Sequence, residues 1–486
     1  MASIFTRWFR KRKSRVVGDP TLRAGLLRST TPTPRAHDHF AVGDLDVSNN
    51  ELVSESERSR LRSWCKKEYL DNPYARNAAR SFSLGVYGSG PKLQLCTPDE
   101  SLNSRIEAIF TRWRKRSDLD WKIHTALESL FYDGEAFFLF YASPYVPGGM
   151  DLELVEARRI ADPFGSFQPN RVDGITYNRF NRPVSYCIQT EALNLNTPSF
   201  DHEEIPAERI VHFYLDDLVN QRRGLPLLQS VLGTLASLNR IGEASLSAWE
   251  LAAKVNLFIQ TPLDAHTFLQ CVPKGYDPEA ENRLEAFSTM SLPKDGGLTF
   301  LPNGMSMGQV KAEHPTSQYH QNKMTYLSEI GAGVGEPRNI VTADSSDYNF
   351  SSARMDLQMF YRWSGACQRR LSRLLDRCLA VTIAALADEG DEDARELLLQ
   401  YAPEDIPAEW HFPQVLDRID RIEDADAETK LLAAGLLTRR EYCKRHGLNY
   451  EKHMEDWQNE QTKFSIERPD ASRGESAAEA EKEDTL

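Results

Sequence analysis

Between Pro226 and Pro262 the chain has no proline, and Leu228, Val231, Leu232, Leu235, Leu238, Ile241, Ala244, Ala248, Leu251 and Val255 recur there at spacings of three and four. That is the period of an α-helix with one apolar side. Pro226 suits a first helical turn and Gly224 relaxes the backbone before it. At about 1.5 Å per residue the helix would run roughly 45 Å. Its second half turns small, with Ala244, Ser245, Ser247, Ala248, Ala252 and Ala253. Small side chains let helices approach closely, as copies crowded around an axis must. A plain buried helix of a globular enzyme has the same pattern, and the segment alone does not choose between the two.

The 486 residues are enough for two or more cores. A net charge of −13 speaks against a surface that grips nucleic acid everywhere. It leaves room for a protein past which DNA slides, where tight phosphate contacts would act as a brake. The seven cysteines are scattered, odd in number and without a Cys-x-x-Cys, which suits a reducing cytoplasm and argues against a disulfide framework or a zinc site. No run of ~18 apolar residues exists, so no membrane span is expected. The basic start (Arg7, Arg10, Lys11, Arg12, Lys13, Arg15) has no apolar core behind it and does not read as a secretory signal. Residues 1–50 read as a flexible basic arm, and the Ala/Glu/Ser-rich residues 467–486 as a disordered tail.

Several segments invite chemistry that their context argues against. Residues 55–81 read as helix and 82–95 as strand-like around Gly85, Gly88 and Gly90. No Gly-Lys-[Ser/Thr] follows, and Pro91 blocks a phosphate-holding helix start, so this is a turn. A helix from Ile106 to Trp121 continues to Phe131. Asp133 and Glu135 beyond it could serve as acid and base, but Asp-Gly is first a turn signal, and no histidine is recognisably placed opposite. Short strands follow around Leu152–Val155, Gly174–Tyr177, Pro183–Ile188 and Ile210–Tyr214, with Asn181 able to take a positive φ. His202 and His212 lack a third ligand, so a satisfied, half-buried His212 is expected rather than a metal site.

Strands at Leu257–Gln260 and Leu298–Leu301 flank a short helix from Asp277 to Ser288. A helix from Gln318 to Ile330 then ends in Gly331-Ala332-Gly333-Val334-Gly335-Glu336-Pro337. That cluster follows a helix, not a strand, and so lacks the dinucleotide-binding context. Ser351-Ser352 caps a helix from about Ala353 to Ala387. On it Arg362, Arg369, Arg373 and Arg377 share one face, opposite Leu357, Phe360, Leu371, Leu375 and Leu379. Such a stripe meets either DNA phosphates or acidic side chains of a neighbouring subunit. The apolar surface of the helix favours packing, hence the neighbour.

Two segments carry a family resemblance. Gln221, Arg223, Gly224 and Pro226 match a Gln-x-Arg-Gly-x-Pro motif before a long Ala-rich helix. Asn349, Ser351, Ser352 and Arg354 match an Asn-[Tyr/Phe]-Ser-Ser-x-Arg motif that opens a later one. With Asn77, Asp133-Gly134-Glu135, and the Gly435–Glu441 and Gly447–Tyr450 segments in the same order, the chain resembles lambda-like bacteriophage portal proteins over about residues 50–465.

The resemblance implies an α+β portal fold with wing, long stem helices, a strand-containing clip and a helical crown, assembled as a ring, usually of twelve copies. Carried over by region, residues 51–223 would be wing, 224–256 and 318–334 stem helices, and 257–317 clip. Residues 335–352 would be hinge and channel loop (Asp344, Ser345, Ser346, Asp347, Tyr348, Asn349), 353–404 the long wing helix and its connection, and 405–466 crown. The ring would carry double-stranded DNA in and out of the capsid at one vertex without reading its sequence. It would dock the large terminase subunit, then the head-tail connector protein, and contact major capsid and scaffold proteins. It would be assembled in the bacterial host cytoplasm and reside in the virion. No catalysis, cofactor, metal or membrane is implied. A portal-like component of a prophage remnant or gene-transfer particle would look the same, and a non-portal oligomeric interaction protein is the remaining alternative.

Overall fold

The computed structural model describes residues 53–163, 168, 170–190, 202–253, 257–260, 306–309, 318–346, 348–412, 421–446, 448 and 450–464. They fall into two compact units, one up to Gly233 and again from Leu327, the other Thr234–Tyr326. The expected arm, tail, clip helix at 277–288 and strand at 298–301 lie outside the described residues.

The first unit opens with α1 (Glu55–Asp71). The Ser54 hydroxyl accepts from Glu57 N at 3.3 Å, and the Glu57 carboxylate accepts from Ser54 N at 3.0 Å. This reciprocal cap satisfies two otherwise orphaned donors. Asn72 breaks the expected single helix: its side chain accepts from Tyr74 N and caps α2 (Pro73–Tyr87), with Pro73 in the first turn. Helix α2 continues through the segment expected to be strand-like. Gly85 is neither turn nor bulge there, because a Cβ on it would lie within 2.5 Å of the Phe360 ring. Only β1 (Lys92–Leu95) is strand. Helix α3 (Glu100–Arg116) does not run on to Phe131 as expected: Asp118 takes φ 52° and separates it from α4 (Leu119–Tyr132).

Two antiparallel sheets follow. The first has order β3-β2-β8, from β2 (Glu135–Ala142), β3 (Met150–Val155) and β8 (Ile210–Tyr214). The second has order β4-β5-β6-β7, from β4 (Arg171–Val172), β5 (Ile175–Tyr177), β6 (Pro183–Gln189) and β7 (His202–Pro206). Phe137, Val155, Ile175, Tyr186, Ile188 and Ile205 form one buried cluster drawn from both. Asn181 does take a positive φ, 58°.

After a 3-10 turn at Leu227–Val231, α5 (Leu232–Ala253) begins later than expected. Leu235 and Leu238 are buried, whereas Leu246 and Trp249 in its second half are exposed. In the second unit β9 (Leu257–Gln260) pairs antiparallel with β10 (Ser306–Gln309), Ser306 opposite Gln260. Helix α6 (Gln318–Val334) passes through Gly331 and Gly333 rather than stopping at Ile330. A Cβ at Gly333 would overlap Val231, so these glycines permit close packing, and Gly335, at φ 79°, makes the turn that ends the helix. A short α7 (Arg338–Thr342) leads to α8 (Phe350–Glu389), forty residues long. Its cap is Asn349, not the expected serines: Asn349 Oδ1 accepts from Ser352 N at 2.9 Å. Gly390, at φ 108°, ends it.

Helix α9 (Glu392–Gln400) folds back against α8 and α3. Strand β11 (Ala408–His411) pairs antiparallel with β1, Leu93 opposite Trp410, tying the late chain to the early chain. The C-terminal region is helical as expected, with α10 (Arg421–Ala433), α11 (Arg439–Arg445) and α12 (Tyr450–Phe464). Thr438 caps α11, accepting from Glu441 N at 3.1 Å.

Candidate functional site

The segment before α5 is fixed by one buried carboxylate. Glu135 opens β2 directly after the Asp133-Gly134 turn, and its side chain has 0% exposure. Arg223 Nε donates to its two oxygens at 2.8 and 3.1 Å, Gly224 N donates at 2.9 Å, and Arg62 Nη2 at 2.5 Å. His212 Nε2 completes the set at 2.9 Å. The remaining Arg223 donors reach the carbonyls of Asp173, Ile160 and Ala157. Two guanidiniums, an amide and an imidazole thus converge on one carboxylate, the arrangement that makes a buried charge tolerable.

Burial alone would push the Glu135 carboxyl up, but Arg223, Arg62 and His212 outweigh it and hold the group well below the usual range. Burial lowers His212, against the pull of Glu135. The imidazole lies stacked on Phe137 at 4.3 Å between ring centroids. The expectation of a satisfied, half-buried His212 holds. The expectation that no histidine faces the Asp133/Glu135 turn does not: the antiparallel pairing of β8 with β2 sets His212 opposite Phe137, beside Glu135. Asp133 pairs with Lys66 at 3.0 Å instead of acting with Glu135. With every Glu135 partner a fixed protein group, the cluster is a structural junction and not an acid–base pair.

Each residue of the Gln-x-Arg-Gly-x-Pro segment has a role in that junction. Gln221 Oε1 accepts from Asp217 N and Leu218 N, both at 2.9 Å, and its Nε2 donates to the Arg223 carbonyl at 2.8 Å, closing the loop. Gly224 is required because a Cβ would overlap the Gly134 carbonyl, and Gly134 (φ 82°) in turn lies against the Leu225 backbone. Pro226 leads into the 3-10 turn. Asn77, from α2, donates to the carbonyls of Ile340 and Val341 at 2.7 and 3.0 Å and so holds α7.

In the candidate channel loop, Asp344, Ser345, Ser346 and Asn349 are exposed and Tyr348 half-buried; Asp347 lies outside the described residues. Asp344 accepts from Ser346 N at 3.0 Å, and Arg338 sits over the Tyr348 ring at 5.3 Å. Ser351, Ser352 and Arg354 are exposed on the first turn of α8.

The arginine stripe faces outward on α8 but is not uniform. Arg362, Arg369 and Arg373 are exposed. Arg377 is half-buried, paired with Glu404 at 3.0 Å and donating to the Glu208 carbonyl at 2.7 Å. Arg373 and Arg377 line a groove of about 470 Å³ with Arg222 and Arg370, over Tyr177 and Tyr214. Arg362 and Arg369 do not line it. Arg370 was absent from the sequence stripe, although it lies one turn-pair (seven residues) before Arg377. It pairs with Asp216 and stands over the Tyr214 ring at 5.3 Å. Arg222 stands over Tyr177 at 4.8 Å.

Residues 45–368 match the family model described as phage portal protein, lambda family. The chain belongs to the lambda family of phage portal proteins, which are structural proteins and not enzymes. Among solved structures it is similar to a chain of "Virion of native gene transfer agent (GTA) particle", with 15% identity, TM-score 0.49, and 80% of this chain and 93% of that one covered. A chain of "Neck of native GTA particle computed with C12 symmetry" gives 14%, 0.48, 82% and 95%. None of the curated proteins matches. Among the described residues no helix is long and apolar enough to cross a membrane.

Proposed function

We propose that this portal protein forms a closed ring, of twelve copies, at one vertex of a capsid, and that double-stranded DNA enters and leaves through its centre. The observation that carries this is the family match across both helix-opening segments, Gln221–Pro226 and Asn349–Arg354. In support, the second half of α5 leaves Leu246 and Trp249 exposed in a single copy. Arg362, Arg369 and Arg373 likewise face outward. Exposed apolar side chains grouped on one helix are a common place for contact between copies, and outward arginines can pair with acids of a neighbour.

By region, residues 51–223 form the wing, 224–256 and 318–334 the stem, and 257–317 the clip that docks the large terminase subunit and later the head-tail connector. Residues 335–352 are the hinge and channel loop, 353–404 the long wing helix and 405–466 the crown toward the capsid interior, where scaffold and major capsid proteins meet it. DNA contacts are few and non-specific, consistent with the net charge of −13. The same conduit serves a phage or a gene-transfer particle. Electron microscopy of the purified protein tests the proposal: rings with a central channel are expected, and compact monomers across protein and salt concentrations would overturn it.

A further inference from the structure

The groove on α8 has a composition that specifies its occupant. Four arginines, Arg222, Arg370, Arg373 and Arg377, stand around Tyr177 and Tyr214, and no carboxylate is among the residues that line it. Two of these arginines already hold carboxylates from its margin, Asp216 and Glu404. Arg373 is exposed and makes no hydrogen bond or ion pair with the described residues. The lining therefore suits carboxylates, with an aromatic floor for an apolar side chain. A space of about 470 Å³ admits a few side chains, and acids on its rim oppose a polyphosphate duplex.

The same chain offers a surface of the opposite character. Helix α9 buries Ala394 and Leu397, and its other side presents Glu392, Glu396 and Leu399 at spacings of four and three. Leu399 is 87% exposed, the highest value for a large apolar side chain among the described residues. Glu392 and Glu396 are exposed and find no ion pair or hydrogen bond among the described residues. Arg395, the one base in the helix, is turned back to the Ala387 carbonyl at 2.9 Å. The two surfaces share no residue: α9 packs on α8 and α3, whereas the groove is walled by β5, β6, β8 and the middle of α8. A surface and a different complementary surface on the same chain produce a head-to-tail contact, which closes into a ring when the rotation allows.

We propose that the groove receives α9 of a second copy, with Glu392 and Glu396 on the arginines and Leu399 over the tyrosines. The inference rests on the ring reading and names one of its contacts. It is tested by charge exchange in the full chain, read by native mass spectrometry and negative-stain imaging. Arg373→Glu alone, and Glu392→Arg with Glu396→Arg alone, should each raise the concentration for half-assembly about tenfold or more. Combining all three substitutions in one chain should recover part of the lost assembly, because the acid introduced at position 373 then faces the bases introduced on α9, while Arg222, Arg370 and Arg377 keep their charge.

Circular dichroism checks folding, and the milder Leu399→Ser should weaken assembly in the same direction should a charge reversal fail to fold. Normal rings from both single-surface variants would overturn the docking while leaving the ring reading intact. So would weakened assembly of which the combined variant recovers no part. Normal rings that lose DNA retention would assign the groove to phosphates and also overturn it. A wild-type chain that forms no ring at all would overturn both.

Discussion

Glu135 shows how the surroundings of a carboxylate decide whether it serves chemistry or architecture. Fully buried and clasped by Arg223, Arg62, Gly224 N and His212, it has no free lone pair facing solvent. Glu135→Gln keeps the shape but leaves two guanidiniums without their charge partner, and should cost roughly 3 kcal/mol at neutral pH, read from chemical denaturation. Because the folded-state pKa is depressed, this stabilisation is present above the ordinary carboxylate range and lost as pH falls through the folded value. The gap between wild type and variant should therefore narrow in acid. Glu336 behaves oppositely. It is buried, neither oxygen has a hydrogen-bond partner among the described residues, and burial raises its pKa well above normal. A raised pKa gives a contribution present at low pH and lost as pH rises through the folded value. Glu336→Gln should raise the melting temperature at neutral pH and change it little in acid; a lower melting temperature at neutral pH would mean that the carboxylate has a partner in the folded protein.

At the scale of elements, caps and glycines decide boundaries that periodicity blurs. Asn72 divides one apparent helix into two, and Asn349 starts α8 three residues before the serines were expected to. Asn349→Ala should cost about 1 kcal/mol and speed hydrogen exchange in the first turn of α8, leaving its middle protected. Unchanged exchange there would show that packing, not the cap, holds the turn. Glycines mislead when read only as breakers. Gly85, Gly331 and Gly333 lie inside helices because another side chain or backbone comes close, and a missing Cβ reads the same in sequence whether it serves a turn or a tight crossing.

For the whole molecule, the outward arginines and the strand-bearing insertion should separate in function. Reversing Arg369 and Arg373 together to Glu should leave circular dichroism unchanged yet reduce ring formation, since both side chains are exposed in the single copy. Intact rings that fail to package DNA would instead place the stripe toward the channel. Exchanging residues 257–317 with those of a related portal should keep the ring and change the packaging motor it accepts. A chimera still served by the original motor would move the docking surface to the wing.

The sequence alone determined what depends on neighbours along the chain. The helical period after Pro226, the Asp-Gly turn, the positive φ of Asn181 and the arginine face of α8 are all set by local sterics and spacing. It also carried the family, through two motifs whose residues turn out to be a loop closure, a buried ion pair, a close backbone approach and a helix cap. What only the tertiary structure decided is which distant residues meet. The pairing of β8 with β2 brings His212 to Glu135, α1 brings Arg62 to the same carboxylate, and the β5–β6 hairpin walls a groove that α8 completes with Arg370. Those meetings follow from chain topology and burial, which act between residues tens to hundreds of positions apart and leave no period or spacing in the sequence to read.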